Sequence, residues 1–323
     1  MAPILDFRKH GYFIKINNAG KLKYGRENGP KATCKHVLAK VNSAISTNTN
    51  RSYGIKSEPK FLLALRFYAS GSFLITAGDF CGVSVPSASR AVKEVSEAIA
   101  MLSKEYINME LMGKEDTTMD FYNIAKFLRI QSPGGDNAEL FRKRKGYFSL
   151  NVQAVCNAML LLTNLVARWP GSSHDSTIFN NSRLKYCLDN GEFKNHYILG
   201  DGGYKTTEYM MTPLLNPRNE AERLYNESQI RTRNTIERCF GVLKRRFPVL
   251  STGMRISLNT AISVVVACGV LHNIAILQNN PIPDEVENNQ EGTPNTEETV
   301  QENGNDVTGR HRQILISEYF ATL

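Results

Sequence analysis

The sequence predicts a helical domain followed by a mixed α/β domain, on three observations. Between residues 58 and 118 apolar side chains recur at helical spacing. From Phe121 onward the pattern changes to short runs rich in β-branched and aromatic residues, bounded by turn residues. Two carboxylates then stand out 36 positions apart: Asp201 at the end of an apolar run and Glu237 inside a helical pattern.

Composition bounds the reading before any element is placed. The chain has 323 residues, of which 41% are apolar and 22% charged, the balance of a globular protein with ample core. The start Met-Ala-Pro-Ile-Leu-Asp lacks the long apolar core of a signal peptide, and runs such as Ile262 to Leu271 are short for a membrane span. An intracellular product is therefore expected. Six scattered cysteines form no C-x-x-C pair, so isolated thiols are expected rather than a zinc or disulfide framework. The net charge of +8 is unevenly spread. Eight acids and no Lys or Arg lie between Asn279 and Gly309, which leaves about +16 on the rest. A body this basic favours a polyanionic partner, most often nucleic acid; a merely soluble surface is the plain alternative.

In chain order, residues 1–57 read as a basic, weakly periodic arm or linker. Residues 58–118 read as a helix-turn-helix-like domain. Phe61, Leu62, Leu65 and Tyr68 mark one helical face, Ala77 to Cys81 a short second helix, and Gly82-Val83-Ser84 a turn into a long third helix. Ser84 or Ser87 is placed to cap that helix. Ser87, Ser89, Arg90 and Lys93 are placed to face DNA if it is a recognition helix. Any compact helical hairpin gives the same signal. Val92, Val95, Ile99, Leu102, Tyr106 and Met109 also form a heptad seam, which suits either a homodimer or packing within the domain.

Residues 119–278 read as the α/β domain, with strands at Phe127 to Gln131, Tyr147 to Val155 and Leu160 to Ala167. The connector Arg142-Lys143-Arg144-Lys145 is a candidate phosphate-contacting loop or nuclear-import patch, with a solvated loop as the bland reading. Asp175 to Leu188 is amphipathic, and a short strand leads into Asp201. A mostly polar stretch, Lys205 to Arg233, precedes the Glu237 helix, which runs to about Phe247. A last apolar helix spans Thr260 to Leu277. Residues 279–323 read as an acidic, largely disordered tail.

Asp201, between an apolar strand and Gly202-Gly203, has the setting of a ligand at a strand end. Carboxylates of this kind supply hard oxygens to Mg²⁺ or Mn²⁺, and two such ions can serve an in-line phosphoryl displacement. Each acid also has a structural reading. Gly200-Asp201-Gly202-Gly203 is turn composition, Asn234-x-x-Glu237 occupies capping-box positions, and Asp175 can N-cap its own helix.

Six motifs in order carry a resemblance: W-P-G-S-S-H-D-S from Trp169, L-G-D-G-G-Y from Leu199, T-P-L from Thr212, Y-N at Tyr225, I-E-R-C-F-G-V-L-K-R-R-F from Ile236 and L-H-N from Leu271. Over roughly Phe61 to Leu277 the chain resembles the PIF/Harbinger transposase family, in particular its host nucleases derived from Harbinger transposases. The resemblance implies an α/β, RNase H-like catalytic domain, a mixed sheet flanked by helices, preceded by an all-α helix-turn-helix domain. It implies an Asp-Asp-Glu triad that cuts DNA with a divalent metal cation, Mg²⁺ or Mn²⁺. It also implies action in the nucleus, often with a separate Myb-like DNA-binding partner.

By position, Asp201 matches the family's second Asp and Glu237 its Glu. Asp175 matches a recurrent Asp beside the site, a possible metal ligand. Arg238, Lys244 and Arg245 on the Glu237 helix join the expected DNA contacts. The first Asp is expected in an Asp-x-Thr-His segment just before Arg129-Ile130-Gln131-Ser132-Pro133. This chain passes from Ala125-Lys126-Phe127 straight to Leu128-Arg129 and contains no such segment. Asp120 and Asp136 are the nearest acids, and neither matches. The expectation is a nuclease by lineage, impaired by the loss of that carboxylate and most of a central strand. A wrongly joined gene model or a decayed copy explains the gap better than adaptation. The alternative is an inactive nuclear DNA-binding or interaction protein.

Overall fold

A computed structural model describes residues 30–46, 54–109, 119–133, 138–142, 146–193, 196–280 and 309–322; for residues 30 and 119–128 it describes the backbone alone. Asp136 and Lys143, Arg144 and Lys145 of the basic connector lie outside the described residues. The chain divides into two compact units that interleave in sequence. Unit 1 comprises residues 1–107, 127–150 and 241–284; unit 2 comprises 108–126, 151–240 and 285–323.

Unit 1 is built on helices α1 (Pro30–Ile45), α2 (Ser57–Ser70), α3 (Leu74–Cys81), α4 (Val85–Ala100), α5 (Ser103–Tyr106) and α9 (Leu258–Leu277). The N-terminal segment read as an arm contains α1, whose Val37, Val41 and Ile45 are buried and which packs on α4 and α2. Its apolar spacing is sparse, and only the neighbouring helices complete its burial. The three helices expected between residues 58 and 100 form where the spacing places them. Gly78 of α3 sits against the following turn: a Cβ there would lie 2.7 Å from the Val83 carbonyl oxygen, which excludes any side chain without a shift. The heptad seam is consumed internally. Val92, Val95 and Ile99 are fully buried against a fold in which α4 packs on α9 and α2, and the helix ends at Ala100.

The last apolar helix is longer than the run that announced it. α9 has 20 residues and is long and apolar enough to cross a membrane by length and composition; 72% of its most apolar window is buried, so its surface serves the core. Polar contacts fix the helices around it. Lys60, on α2 and 6% exposed, donates from Nζ to the Ile45 carbonyl at 3.2 Å and to Glu94 Oε2 on α4 at 2.6 Å. The ammonium thereby meets the negative end of α1 as well as a carboxylate. Tyr68 Oη and Ser96 Oγ lie 2.6 Å apart in the buried α2–α4 contact, and burial holds the Tyr68 phenol well above its ordinary range.

Unit 2 contains most of a five-stranded sheet: β1 (Met119–Arg129), β2 (Ser149–Cys156), β3 (Leu162–Pro170), β4 (Tyr197–Leu199) and β5 (Met210–Met211), in the order β3-β2-β1-β4-β5. β4 runs parallel to β1, with Asp120 opposite Ile198 and Phe121 opposite Leu199, and parallel to β5, with Ile198 opposite Met210. The central strand is therefore present, contrary to the expected loss of most of it. Residues 119–129, which precede and span the apparent gap, occupy that place. A tight turn at Asn157–Leu161 joins β2 to β3, with Asn157 Oδ1 accepting from the amides of Met159 and Leu161.

The amphipathic segment after β3 is two helices, α6 (Asp175–Asn180) and α7 (Arg183–Asp189), broken where Ser182 caps α7 by accepting from the Lys185 amide. Their Ile178, Phe179, Leu184 and Leu188 pack with Val155, Ile198, Tyr204 and Met210 in one core. The stretch before Glu237 is helical rather than irregular: α8 (Glu220–Arg246) has 27 residues. Its polar character reflects a helix with one narrow buried face. The end of the acidic tail is also ordered, as α10 (Arg310–Glu318), whose Ile316 packs with Phe320 against Tyr225 of α8. All six cysteines are free thiols.

The Lys60 contacts yield a measurable expectation. Lys60→Met removes both hydrogen bonds and lowers stability to urea by about 1.5–3 kcal/mol. Glu94→Gln, at a half-exposed position, costs about 1 kcal/mol or less. Equal stabilities of Lys60→Met and parent would contradict the bridging role.

Candidate active site

Asp201 stands two residues beyond the last paired residue of β4, half-buried, and its surroundings are fixed by backbone contacts. The Gly200 amide donates to the Met211 carbonyl at 3.0 Å, which extends the β4–β5 pairing to the residue before the acid. Gly200 has no space for a side chain: a Cβ would meet Met210 Sδ at 2.9 Å and the Tyr204 ring at 3.1 Å. After the acid the chain turns, with the Gly203 amide donating to Asp201 Oδ1 at 3.0 Å and the Tyr204 amide to the Asp201 carbonyl at 3.3 Å. Open space surrounds Gly202, where a Cβ would meet nothing within 4 Å. The turn reading and the ligand reading of this sequence thus describe one geometry: a turn that presents a carboxylate beside free volume.

Gln229 of α8, only 4% exposed, closes the same strand ends. Its Nε2 donates to the Gly200 carbonyl at 2.7 Å and to the Met211 carbonyl at 3.3 Å. Glu237 lies eight residues farther along α8 and is exposed. It lies inside α8, which rules out the N-cap role that Asn234 suggested.

Asp175 opens α6 and is half-buried; Asn151 of β2 donates from Nδ2 to its Oδ1 and to the Ser173 carbonyl, both at 3.1 Å. Asn151 is wholly buried, and its Oδ1 has no hydrogen-bond partner. Gln153, two residues on and on the same face of β2, is also wholly buried with neither amide atom bonded. Buried, unpaired polar atoms are costly, about 1–3 kcal/mol each.

The donors Asp175, Asp201 and Glu237 are hard oxygens of the kind that suit Mg²⁺ or Mn²⁺. Their number is short. Among the described residues no group of three or more His, Cys, Asp or Glu side chains is disposed to hold an ion. β1 carries one acid, Asp120, at its second position.

The expected DNA contacts fall into distinct settings. On α4, Ser89, Arg90 and Lys93 are exposed and Ser87 partly so. Ser84 is the N-cap by position, yet its hydroxyl donates to Ser87 Oγ at 3.1 Å, and Arg90 also reaches Ser87 Oγ. Lys93 pairs loosely with Glu97 at 3.9 Å. Arg142 is exposed but engaged, with its guanidinium bidentate on Glu139 and over the Phe148 ring. Arg238 is exposed, and Lys244 and Arg245 are partly buried.

Several motif residues hold structure. Tyr225 Oη donates to the Thr212 carbonyl at 2.9 Å, and the Asn226 amide pairs with both backbone groups of Leu214, so the Y-N and T-P-L motifs join each other. Arg312 of α10, 5% exposed, adds bonds to Thr206 Oγ1 and to the carbonyl and hydroxyl of Thr212. Arg246 of the K-R-R-F motif is buried and donates to the His272 and Asn280 carbonyls, while Asn273 of L-H-N donates to the Tyr106 carbonyl at 2.6 Å. Sequence reasoning missed Gln229, Asn151 and Arg312. Polar residues alternating along the apolar β2 were the available signal for Asn151; nothing local distinguishes Gln229 or Arg312.

Comparison with known proteins bears out the resemblance. A family model described as DDE superfamily endonuclease matches residues 126–273. The human protein named "Putative nuclease HARBI1" is 31% identical over 266 residues, covering 76% of this chain and 75% of that protein. The mouse protein of the same name is 29% identical over 313 residues, 90% of this chain and 88% of its own length. "Protein ALP1-like" of Arabidopsis thaliana is 24% identical over 144 residues, 40% of this chain and 36% of its own. No solved structure matches. Identity of this extent, spread over three quarters of the human relative and accompanied by the endonuclease match, places the chain in the Harbinger transposase-derived nuclease family of the DDE superfamily.

Proposed function

We propose that this chain descends from a metal-dependent DNA endonuclease and retains two of its three catalytic carboxylates, Asp201 and Glu237, with hydrolysis of phosphodiesters impaired. The observation that carries the proposal is the position of Asp201 at the end of β4, parallel to a central β1, in a sheet of order β3-β2-β1-β4-β5. That order supports an RNase H-like reading, in which the neighbouring central strand supplies the first carboxylate. Here the β1 residues level with and beyond Phe121 carry no acid.

Asp201 and Glu237, with Asp175 in support, are the residues that would hold a divalent cation. When bound, such an ion polarises a phosphate oxygen and lowers the pKa of a coordinated water. The chain's own residues orient the donors: the Gly203 amide engages one Asp201 oxygen, and Asn151 engages one Asp175 oxygen. Without the first carboxylate, binding and charge compensation at the phosphate are both weakened. The unpaired amides of Asn151 and Gln153 on β2, the strand beside β1, support a missing segment: they are buried polar groups whose partners the present β1 does not supply.

A second reading, DNA binding without cleavage, draws on the same gap and on the basic body. The helix pair α3–α4, with Ser87, Ser89, Arg90 and Lys93 at its exposed start, would read DNA, and Arg142, Arg238, Lys244 and Arg245 would add phosphate contacts. Nuclear action, a Myb-like partner and a homodimer complete this proposal. A homodimer would need a surface other than the α4 seam, which is buried.

Plasmid cleavage in Mg²⁺ or Mn²⁺ tests the nuclease. Weak, cation-dependent cleavage is expected, and Asp201→Ala and Glu237→Ala each reduce it by at least the ~100-fold that loss of a ligand-supporting group costs. Cleavage that survives both substitutions refutes the site. For the gap itself, the genomic DNA upstream of the Arg129 codon is expected to hold an open frame encoding Asp-x-Thr-His; its absence favours the binding protein. DNA affinity is expected to fall with log salt at a slope steeper than about −5, as for six or more phosphate contacts. A shallow slope excludes extensive backbone contact.

A further inference from the structure

We propose that Gln229 is a positioning residue for the cation site, the clamp that holds the Asp201 strand end against the helix bearing Glu237. The inference rests on the reading of Asp201 and Glu237 as a ligand pair. One side chain amide engages the carbonyls of Gly200 and Met211, the terminal residues of the β4–β5 pairing. Gly200 is the residue immediately before Asp201, and Gln229 lies on the same helix as Glu237, eight residues earlier. Movement of α8 along or away from the strand ends breaks these two bonds, and either movement changes the separation of the two carboxylates.

The chemistry of the contact supports positioning over packing. Gln229 is 4% exposed, and its Oε1 is buried without a hydrogen-bond partner. A residue serving only to fill that space would be better apolar, because burying an unbonded amide oxygen is unfavourable. What the amide supplies, and Leu or Met does not, is a donor for two carbonyls at the point where β4 stops and the catalytic turn begins. Gly200 adds a second constraint at the same point, since Met210 and Tyr204 leave it no room for a side chain. The Asp201 backbone is thus held from the strand side and the helix side together.

The test uses the full chain, Mn²⁺ as the probe, electron paramagnetic resonance for its affinity, and thermal unfolding as the structural control. Gln229→Leu is expected to weaken Mn²⁺ binding by about 10-fold or more, as loss of a ligand-orienting group does, with Tm lowered by only a few degrees. Gln229→Glu supplies a second readout. Burial favours the protonated carboxyl, which donates to the Gly200 carbonyl as the amide does, whereas the ionised form faces two carbonyl oxygens. Relative to the parent at the same pH, this variant is expected to bind Mn²⁺ nearly normally at pH 6 and weakly at pH 8. A Gln229→Leu protein that unfolds earlier yet binds Mn²⁺ like the parent overturns the proposal, as does a pH-independent ratio for Gln229→Glu. Asp201→Ala separates the two levels: if it leaves Mn²⁺ affinity unchanged, or if the parent binds none, the site reading itself fails and the clamp falls with it.

Discussion

A carboxylate can project from the end of a buried strand only if the backbone around it has its hydrogen bonds made. At Asp201 that condition is met group by group. The Gly200 amide bonds to Met211, the Gly200 carbonyl accepts from Gln229, the Gly203 amide bonds to the Asp201 side chain, and the Tyr204 amide bonds to the Asp201 carbonyl. Removing any of these leaves a buried polar group whose desolvation is uncompensated. The strand, the turn and the mid-section of α8 are therefore one arrangement, and the position of the acid is a consequence of it.

The other family motifs distribute their residues between chemistry and this kind of accounting. The T-P-L and Y-N motifs satisfy each other's backbone, and Arg312 adds a guanidinium to the same place, so that the end of the chain helps hold the connection between β5 and α8. In unit 1, Arg246 bonds to the carbonyls of His272 and Asn280, and the Asn280 side chain donates to Thr33 Oγ1 of α1 at 2.6 Å. A buried cation surrounded by carbonyl oxygens is tolerable because every contact is a charge-assisted hydrogen bond. His272 and Asn273 recur in a motif, yet their place is the core of α9, wholly buried.

Against this completeness, β2 is an exception. Asn151 and Gln153 keep unpaired amide atoms in the interior, beside a β1 that fills the central position with residues preceding the gap. A strand whose buried face carries amides makes physical sense where its neighbours bring polar partners. The missing carboxylate and the unpaired amides thus describe the same deficit, one in the catalytic set and one in the hydrogen bonding of the fold.

Much of this was legible in the chain itself. Spacing located α2, α3, α4 and α9, and an apolar run before Asp-Gly-Gly located the end of β4, because period and turn chemistry are local properties. The motifs in order identified the family, and the lack of Asp-x-Thr-His identified the empty ligand position. Local signals failed where burial is supplied from afar. α1 looked like an arm because α4 and α2 cover its sparse apolar face. Glu220 to Arg233 looked irregular because a helix with one narrow buried face is mostly polar. The tail looked wholly disordered because Ile316 and Phe320 gain their contacts only from Tyr225, some ninety residues away. The sequence by itself determined which acids are available and which is absent. Only the tertiary structure decided that Gln229 and Asn151 orient them, since a hydrogen bond between residues 29 or 24 positions apart leaves no trace in local pattern.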